Sequence, residues 1–496
     1  MELTVAKGSA KPRFMLDLRP VVNLLGILVA VLGMTMLVPA VAAFAFEDGE
    51  FDTFLLTAFI CMAVGGGLAL ATAGSAQGKL NIQQVFLITT LVWLVLPIFG
   101  ALPFVVGAPN TTYTNAFFEA MSGLTTTGST VFVGLETLPK ATLLWRGMLQ
   151  WFGGVGIVVV AMALLPALKV GGMQIFKSEG FDTMGKVMPR AGEISISISS
   201  IYLFLTVTCM LSYNFAGLSI FDATVHAFTT VATGGFANYD RSFAQFSGLP
   251  EYVATVFMIL ASLPFIRYVQ LVSGSSSPLF KDVQVRGFIK LMVLIVIMMT
   301  LWRVSMNGSA IEPAFRTTLF NVTSILSGTG YASDDYQLWG PFPIMLFFLI
   351  GLVGGCAGST CCSIKVFRYQ LLFAAIRAQI RLIHNPNGVF KARYDGQSIE
   401  VEVFSSVVAF FVMFIATLFL VAIALSLTGL DTVTSVSGAA AALANIGPGL
   451  GDIIGPSGNF EPLSNTAKWI LGFAMLLGRL ELLSVFVLFT AAFWRR

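Results

Sequence analysis

The stretch LTTTGSTV at 124–131 sets one glycine among small polar residues between long apolar runs, and the chain returns to this element three more times. VATGGFAN at 231–238, LSGTGYAS at 326–333 and ANIGPGLG at 444–451 are its counterparts. Their centres, Gly128, Gly235, Gly330 and Gly447, fall about a hundred residues apart, the period of one internal repeat used four times. Each unit reads as an apolar span, a short segment rich in Phe or Ala, a glycine turn and a second apolar span. A chain so built is constrained to place four equivalent turns around one axis. Four loops entering a membrane from one side line that axis with backbone carbonyls, which is the architecture of an ion filter.

Composition supplies the membrane. Of 496 residues, 56% are hydrophobic and only 11% charged, and apolar runs of the roughly 20 residues needed to cross a bilayer recur throughout. No length remains for a large soluble catalytic domain. The net charge of +3 gives no reason to expect a nucleic-acid partner. Cys61, Cys209, Cys356, Cys361 and Cys362 sit in or beside apolar runs without zinc spacing, and read as small packing residues. The basic start (Lys7, Lys11, Arg13, Arg19) leads into a run too long for a signal peptide, so it reads as a first span.

The expected fold is an all-α integral membrane protein of ten transmembrane helices and four re-entrant pore loops, in four pseudo-symmetric helix–pore-loop–helix repeats. Spans at 21–46 and 54–73, joined by Glu47, Asp48, Glu50 and Asp52, form an accessory hairpin within residues 1–80. Repeat 1 (81–170) holds spans 85–106 and 143–168 around the loop 115–128. Repeat 2 (190–275) holds 194–218 and 252–272 around 221–235. Repeat 3 (285–380) runs from 288–304 through 314–330 into a long segment from Pro343. Repeat 4 (400–496) holds 403–427 and 469–494 around 432–447. With both termini cytoplasmic, the basic residues gather on one side: Lys79; Lys169, Lys177, Lys186 and Arg190; Lys281, Arg286 and Lys290; Arg368, Arg377, Arg381, Lys391 and Arg393; Arg495 and Arg496. This is the positive-inside bias, although Lys140, Arg241, Arg316 and Lys468 fall on the outer side. The four glycine turns then face outward.

Irregular backbone survives at membrane depth only inside protein or along water. Glycine at the centre of a turn opens φ values closed to other residues and lets successive carbonyls face the axis. The candidate carbonyl donors are Thr126, Thr127 and Gly128; Thr233, Gly234 and Gly235; Gly328, Thr329 and Gly330; and Asn445, Ile446 and Gly447. Phe236 and Tyr331, which follow two of the glycines, are placed to wedge their loops from behind. The aligned turns hold no carboxylate, which argues against a divalent-cation ring. An isolated Gly-rich stretch in a span is an ordinary helix-packing site; four at a regular period on one side are not.

The segment 343–380 is too long for one span and is interrupted by small residues from Gly351 to Ser363, including Gly354, Gly355, Gly358, Ser359 and Thr360. Glycine inside a helix costs about 1 kcal/mol relative to alanine, so the helix should break there, close to Lys365. Arg479 reads as mid-span in the last helix, where a charge is expensive and faces protein or water; Glu481, two residues on, points to another helix face. Glu119 reads as an anchor for the first pore helix, His226 and Asp222 as packing and capping groups, and His384 as a cytoplasmic residue without a role.

LTTTGSTV, TVATGGFANYD, the third element, ALANIGPGLGD and the closing GRLELLSVFVLFTAAFWRR together resemble the Trk/Ktr/HKT superfamily of potassium transporters, and within it the bacterial TrkH type. The third element departs, with SGTGY where relatives carry a Thr-rich run. The resemblance implies potassium as the transported ion, with glycine rather than serine at Gly128 going with potassium over sodium. It implies a gate made of the loop from Gly351 to Ser363, Lys365 and, facing the cavity below the filter, Arg479. It also implies a homodimer in the bacterial inner membrane and cytosolic TrkA-type nucleotide-binding regulatory subunits docked on basic loops that also suit lipid head groups. The chain itself has neither a Walker loop nor a dinucleotide fingerprint, so no cofactor is expected. A sodium or proton-coupled cation transporter, or a secondary transporter for a small organic solute, is the alternative. A membrane enzyme would need a His, Cys or carboxylate cluster, and none is legible.

Overall fold

The computed structural model describes residues 16–75, 80–163 and 191–494. The end of the 143–168 span lies outside these residues. So do Lys7, Lys11, Arg13, Lys79, Lys169, Lys177, Lys186, Arg190, Arg495 and Arg496, on which much of the charge argument rests.

Apolar sequence without hydrogen-bonding side chains must satisfy its backbone internally, and the described chain is helical almost throughout. The first span, Arg19–Phe46, bends at Met36 and is followed after the acidic turn by Phe51–Ala71. These two helices touch at backbone distance. A side-chain carbon on Gly26 would lie 2.7 Å from the Gly65 carbonyl oxygen, and one on Gly33 2.8 Å from that of Ala58. Glycine facing glycine is what allows such an approach in an apolar medium.

Each repeat then follows one plan. A long helix (Ile82–Val106, Ala191–Phe215, Val283–Met306, Val401–Ser426) leads to a short one (Tyr113–Leu124, Ile220–Val231, Ile311–Ser327, Thr432–Ala444) that ends at a glycine turn. Thr112, Ser219 and Asp431 cap three of the short helices by accepting an amide hydrogen bond with the side chain. At Asp431, hydrogen bonds from the Thr434 hydroxyl and amide hold the carboxyl below its usual range. The capping role expected of Asp222 belongs to Ser219. Asp222 instead receives Ser219, Asn238 and Tyr239, tying the outgoing loop to the start of the helix.

The second helices of the repeats depart from straight spans. The expected span 252–272 is two helices, Leu249–Ala261 and Phe265–Val272, bent by 89°. Pro264 disfavours helical geometry at the preceding residue and ends the first piece. The expected final span 469–494 breaks likewise into Asn465–Arg479 and Leu483–Phe489, bent by 104°, with Glu481 and Leu482 left-handed at φ 57° and 41°. Arg479 is therefore the last residue of a helix rather than a mid-span residue. In the third repeat Pro341–Gly351 stops at the small-residue run, and Val366–His384 resumes after it. Among the described residues six helices are long and apolar enough to cross a membrane, or eight if each bent pair is one span.

Candidate ion pathway

The four turns share one backbone course. In each, the amide two residues before the central glycine closes back on the short helix: Thr126 to Gly123, Thr233 to Thr230, Gly328 to Ile325 and Asn445 to Ala442, at 2.9–3.3 Å. Those same four residues are left-handed, with φ of 53°, 51°, 76° and 51°. For a β-branched threonine this is costly and persists only because the surroundings over-determine it. The correspondence aligns Gly328 with Thr126 and Gly330 with Gly128.

The central glycines form a closed ring. A side-chain carbon on Gly128 would overlap the Gly234 carbonyl oxygen, and one on Gly235 that of Thr329. On Gly330 it would come 2.6 Å from the Gly447 nitrogen, and on Gly447 3.1 Å from the Gly128 oxygen. Gly128, Gly235 and Gly330 have φ of 87°, 77° and 80°, so glycine is required there twice over. Side chains lock adjacent turns: Ser129 donates to the Gly447 carbonyl at 2.8 Å, and Asn445 to Thr127 and to the Met475 carbonyl at 3.0 and 2.9 Å. The expected wedges are present. Tyr331 is fully buried with its hydroxyl on Thr229 and Thr230, and Phe236 lies under the Arg146 guanidinium at 4.3 Å.

On one side of the ring a cavity of about 210 Å³ touches all four glycines. On the other lies the small-residue loop. Cys362 sulfur stands 3.8 Å from the Thr126 hydroxyl, Thr233 donates to Thr360 at 3.2 Å, and Gly351 abuts Ile446. The loop's ends are clasped by a two-rung parallel pairing, Val353 with Ile364 and Gly354 with Lys365. Ser363, at φ 61°, donates to the Gly351 carbonyl, Ser359 to the Cys356 carbonyl, and Lys365 to the Cys361 carbonyl. Both helix breaks serve this loop. At the 89° bend, the Ser262 carbonyl takes the Cys356 amide, the Cys361 thiol bonds the Ser262 hydroxyl at 3.0 Å, and Phe265 donates to the Gly358 carbonyl. At the 104° bend, Arg479 reaches Cys362 and the Thr360 carbonyl with one arm of its guanidinium and the Gly153 carbonyl at 2.8 Å with the other. Gly355 leaves room for Cys361 against Ser262.

Glu119 is the anchor expected, and its partner is a residue that sequence reading passed over. Fully buried, it accepts from Arg146 at 2.8 Å, from the Thr130 hydroxyl and from the Val131 amide. Arg146 also donates to the Ala237 carbonyl in the second turn. Four residues on, Gln150 holds the second turn from the same helix. Arg146 sits in an apolar run as conspicuously as Arg479 does, and that was the available signal. Glu481 pairs with Arg368 across the bundle rather than with Arg479. His226 is buried with Nδ1 on the Asp222 carbonyl at 2.8 Å, and His384 is exposed at the end of its helix. The described residues contain no cluster of three metal-binding side chains.

Fold and site together define a helical membrane protein of the transport class. Residues 51–496 match the family model TrkH, cation transport protein, and the chain belongs to that family. It is 43% identical over 479 residues to the Trk system potassium uptake protein TrkI of Halomonas elongata, covering 96% of this chain and 97% of that one. It is 37% identical over 484 residues to TrkH of Escherichia coli K12, covering 96% and 99%. The crystal structure of the potassium transporter TrkH from Vibrio parahaemolyticus superposes with a TM-score of 0.89 at 34% identity, covering 97% of this chain and all of that one.

Proposed function

We propose that this protein is the translocating subunit of a Trk-type potassium uptake system. The observation that carries the reading is the closed ring of Gly128, Gly235, Gly330 and Gly447 between a cavity on one side and a packed loop on the other. Carbonyls of Thr126–Gly128, Thr233–Gly235, Gly328–Gly330 and Asn445–Gly447 replace the hydration shell of a dehydrated monovalent cation. Each short helix ends at its turn, so the negative ends of four helix dipoles converge on the ion. The loop from Gly351 to Ser363, with Lys365 and Arg479, closes the path beneath. The relatives' names give potassium as the ion. Ten spans with four re-entrant loops, both termini cytoplasmic, the bacterial inner membrane, a homodimer and TrkA-type regulatory subunits complete the reading.

Potassium-limited growth of an uptake-deficient bacterium carrying this gene tests it, together with rubidium and sodium flux into proteoliposomes. Gly128→Ser should admit sodium more readily, because a side chain there meets the Gly234 carbonyl. Normal folding with an unchanged sodium-to-potassium ratio would remove Gly128 from the filter.

A further inference from the structure

The second turn differs from the other three in having glycine immediately before its ring glycine. At the position just before the ring glycine, repeats 1, 3 and 4 have Thr127, Thr329 and Ile446, whereas repeat 2 has Gly234. In repeats 1 and 3 that side chain braces its own turn: Thr127 bonds Thr125 at 2.7 Å, and Thr329 bonds Ser327 at 2.7 Å. Gly234 has no such group, and its φ is outside the left-handed region, so conformation does not demand glycine there.

Space demands it. A side-chain carbon on Gly234 would overlap the carboxamide of Gln150, which is fully buried on the helix Lys140–Ala163. That carboxamide donates through Nε2 to the Gly234 carbonyl at 2.7 Å and accepts at Oε1 from the Phe236 amide at 3.0 Å. One side chain thus grips the backbone on both sides of Gly235, as a neighbouring strand would. One turn earlier on the same helix, Arg146 takes the Ala237 carbonyl and stacks on Phe236.

We infer that Gln150 is a specificity-determining positioning residue: its carboxamide stands in for the side chain the second turn lacks and sets the position of the Gly234 carbonyl. This rests on the reading of the ring as a potassium filter. Discrimination by carbonyls depends on their number, spacing and field strength. A carbonyl that shares its lone pairs with an amide and is tied to a transmembrane helix is not free to close on a smaller ion. The second turn, which has no side chain at position 234, depends on Gln150 for this. The pairing also explains the sequence: Gln150 and Gly234 are two halves of one steric arrangement.

The test is a double-mutant cycle on the full-length protein in proteoliposomes, reading rubidium uptake and its potassium-over-sodium preference, with Gly128→Ser as reference. Gln150→Ala should still transport but lose preference by roughly three- to tenfold, the worth of one hydrogen bond. Gly234→Ala alone should lose uptake, and Gly234→Ala with Gln150→Ala should recover it. Gln150→Met, of similar length without hydrogen-bonding ends, reports on preference should the shorter residue fold poorly. Wild-type preference in both Gln150 variants, with Gly128→Ser altered, would reduce Gln150 to packing and overturn the inference while the filter stands. Equal defects of Gly234→Ala with and without Gln150 would also overturn it. If Gly128→Ser leaves preference unchanged too, the filter reading itself falls.

Discussion

Arg479 ends a helix, where a cation is favoured by the unpaired carbonyls of the last turn. It is buried, its arms hold loop and scaffold at once, and its Nε has no hydrogen-bond partner among the described residues. A cation passing about 6 Å from this charge meets roughly 3 kcal/mol at an effective dielectric near 20. Surrounding water lowers that, and about 1.4 kcal/mol is already tenfold in rate. Arg479→Gln should therefore raise the maximal rate up to tenfold without reordering ion preference, as measured by rubidium flux at matched protein amounts. Arg479→Lys keeps the charge but cannot reach Cys362 and Gly153 together, and should fall between the two. A Gln variant no faster than wild type would make Arg479 a brace alone. The sequence marked Arg479 as functional because it is a charge in an apolar run. It did not indicate that the helix ends there, with Glu481 left-handed and paired with Arg368.

At the scale of elements, the short helices and their turns were legible almost to the residue, since caps, small residues and glycines are local signals. The two sharp bends were not. Residues 252–272 and 469–494 are apolar enough to read as single spans, and the loop between Gly351 and Ser363 packs into the space each bend opens. That loop has one clasp and lateral attachments at Thr126, Thr233, Ser262, Phe265, Gln284 and Arg479. Deleting several of its small residues should raise ion leak from proteoliposomes without any regulatory subunit. A folded deletion with background flux would place the gate elsewhere.

For the whole molecule, the acidic turn of the accessory hairpin ties it to the first repeat. Asp48 and Glu50 accept from the Ala141 and Ala108 amides, while its two helices meet through Gly26, Gly33 and Gly65. A side-chain carbon on Gly65 would lie 2.5 Å from the Ala30 nitrogen. Gly65→Leu should cost about 1–3 kcal/mol by overpacking, seen as a lower unfolding temperature in detergent, with potassium-over-sodium preference unchanged. A shift in preference would mean that the hairpin helps to set the ring. The sequence alone determined the membrane class and marked where the short helices end in glycine turns, because apolar length and glycine placement act within a few residues of themselves. Only tertiary structure decided that Glu119 pairs with Arg146 and that Gln150 occupies the space Gly234 leaves. Each of these depends on groups far apart in the sequence meeting in a crowded interior, where a single carbon atom is enough to exclude the alternative.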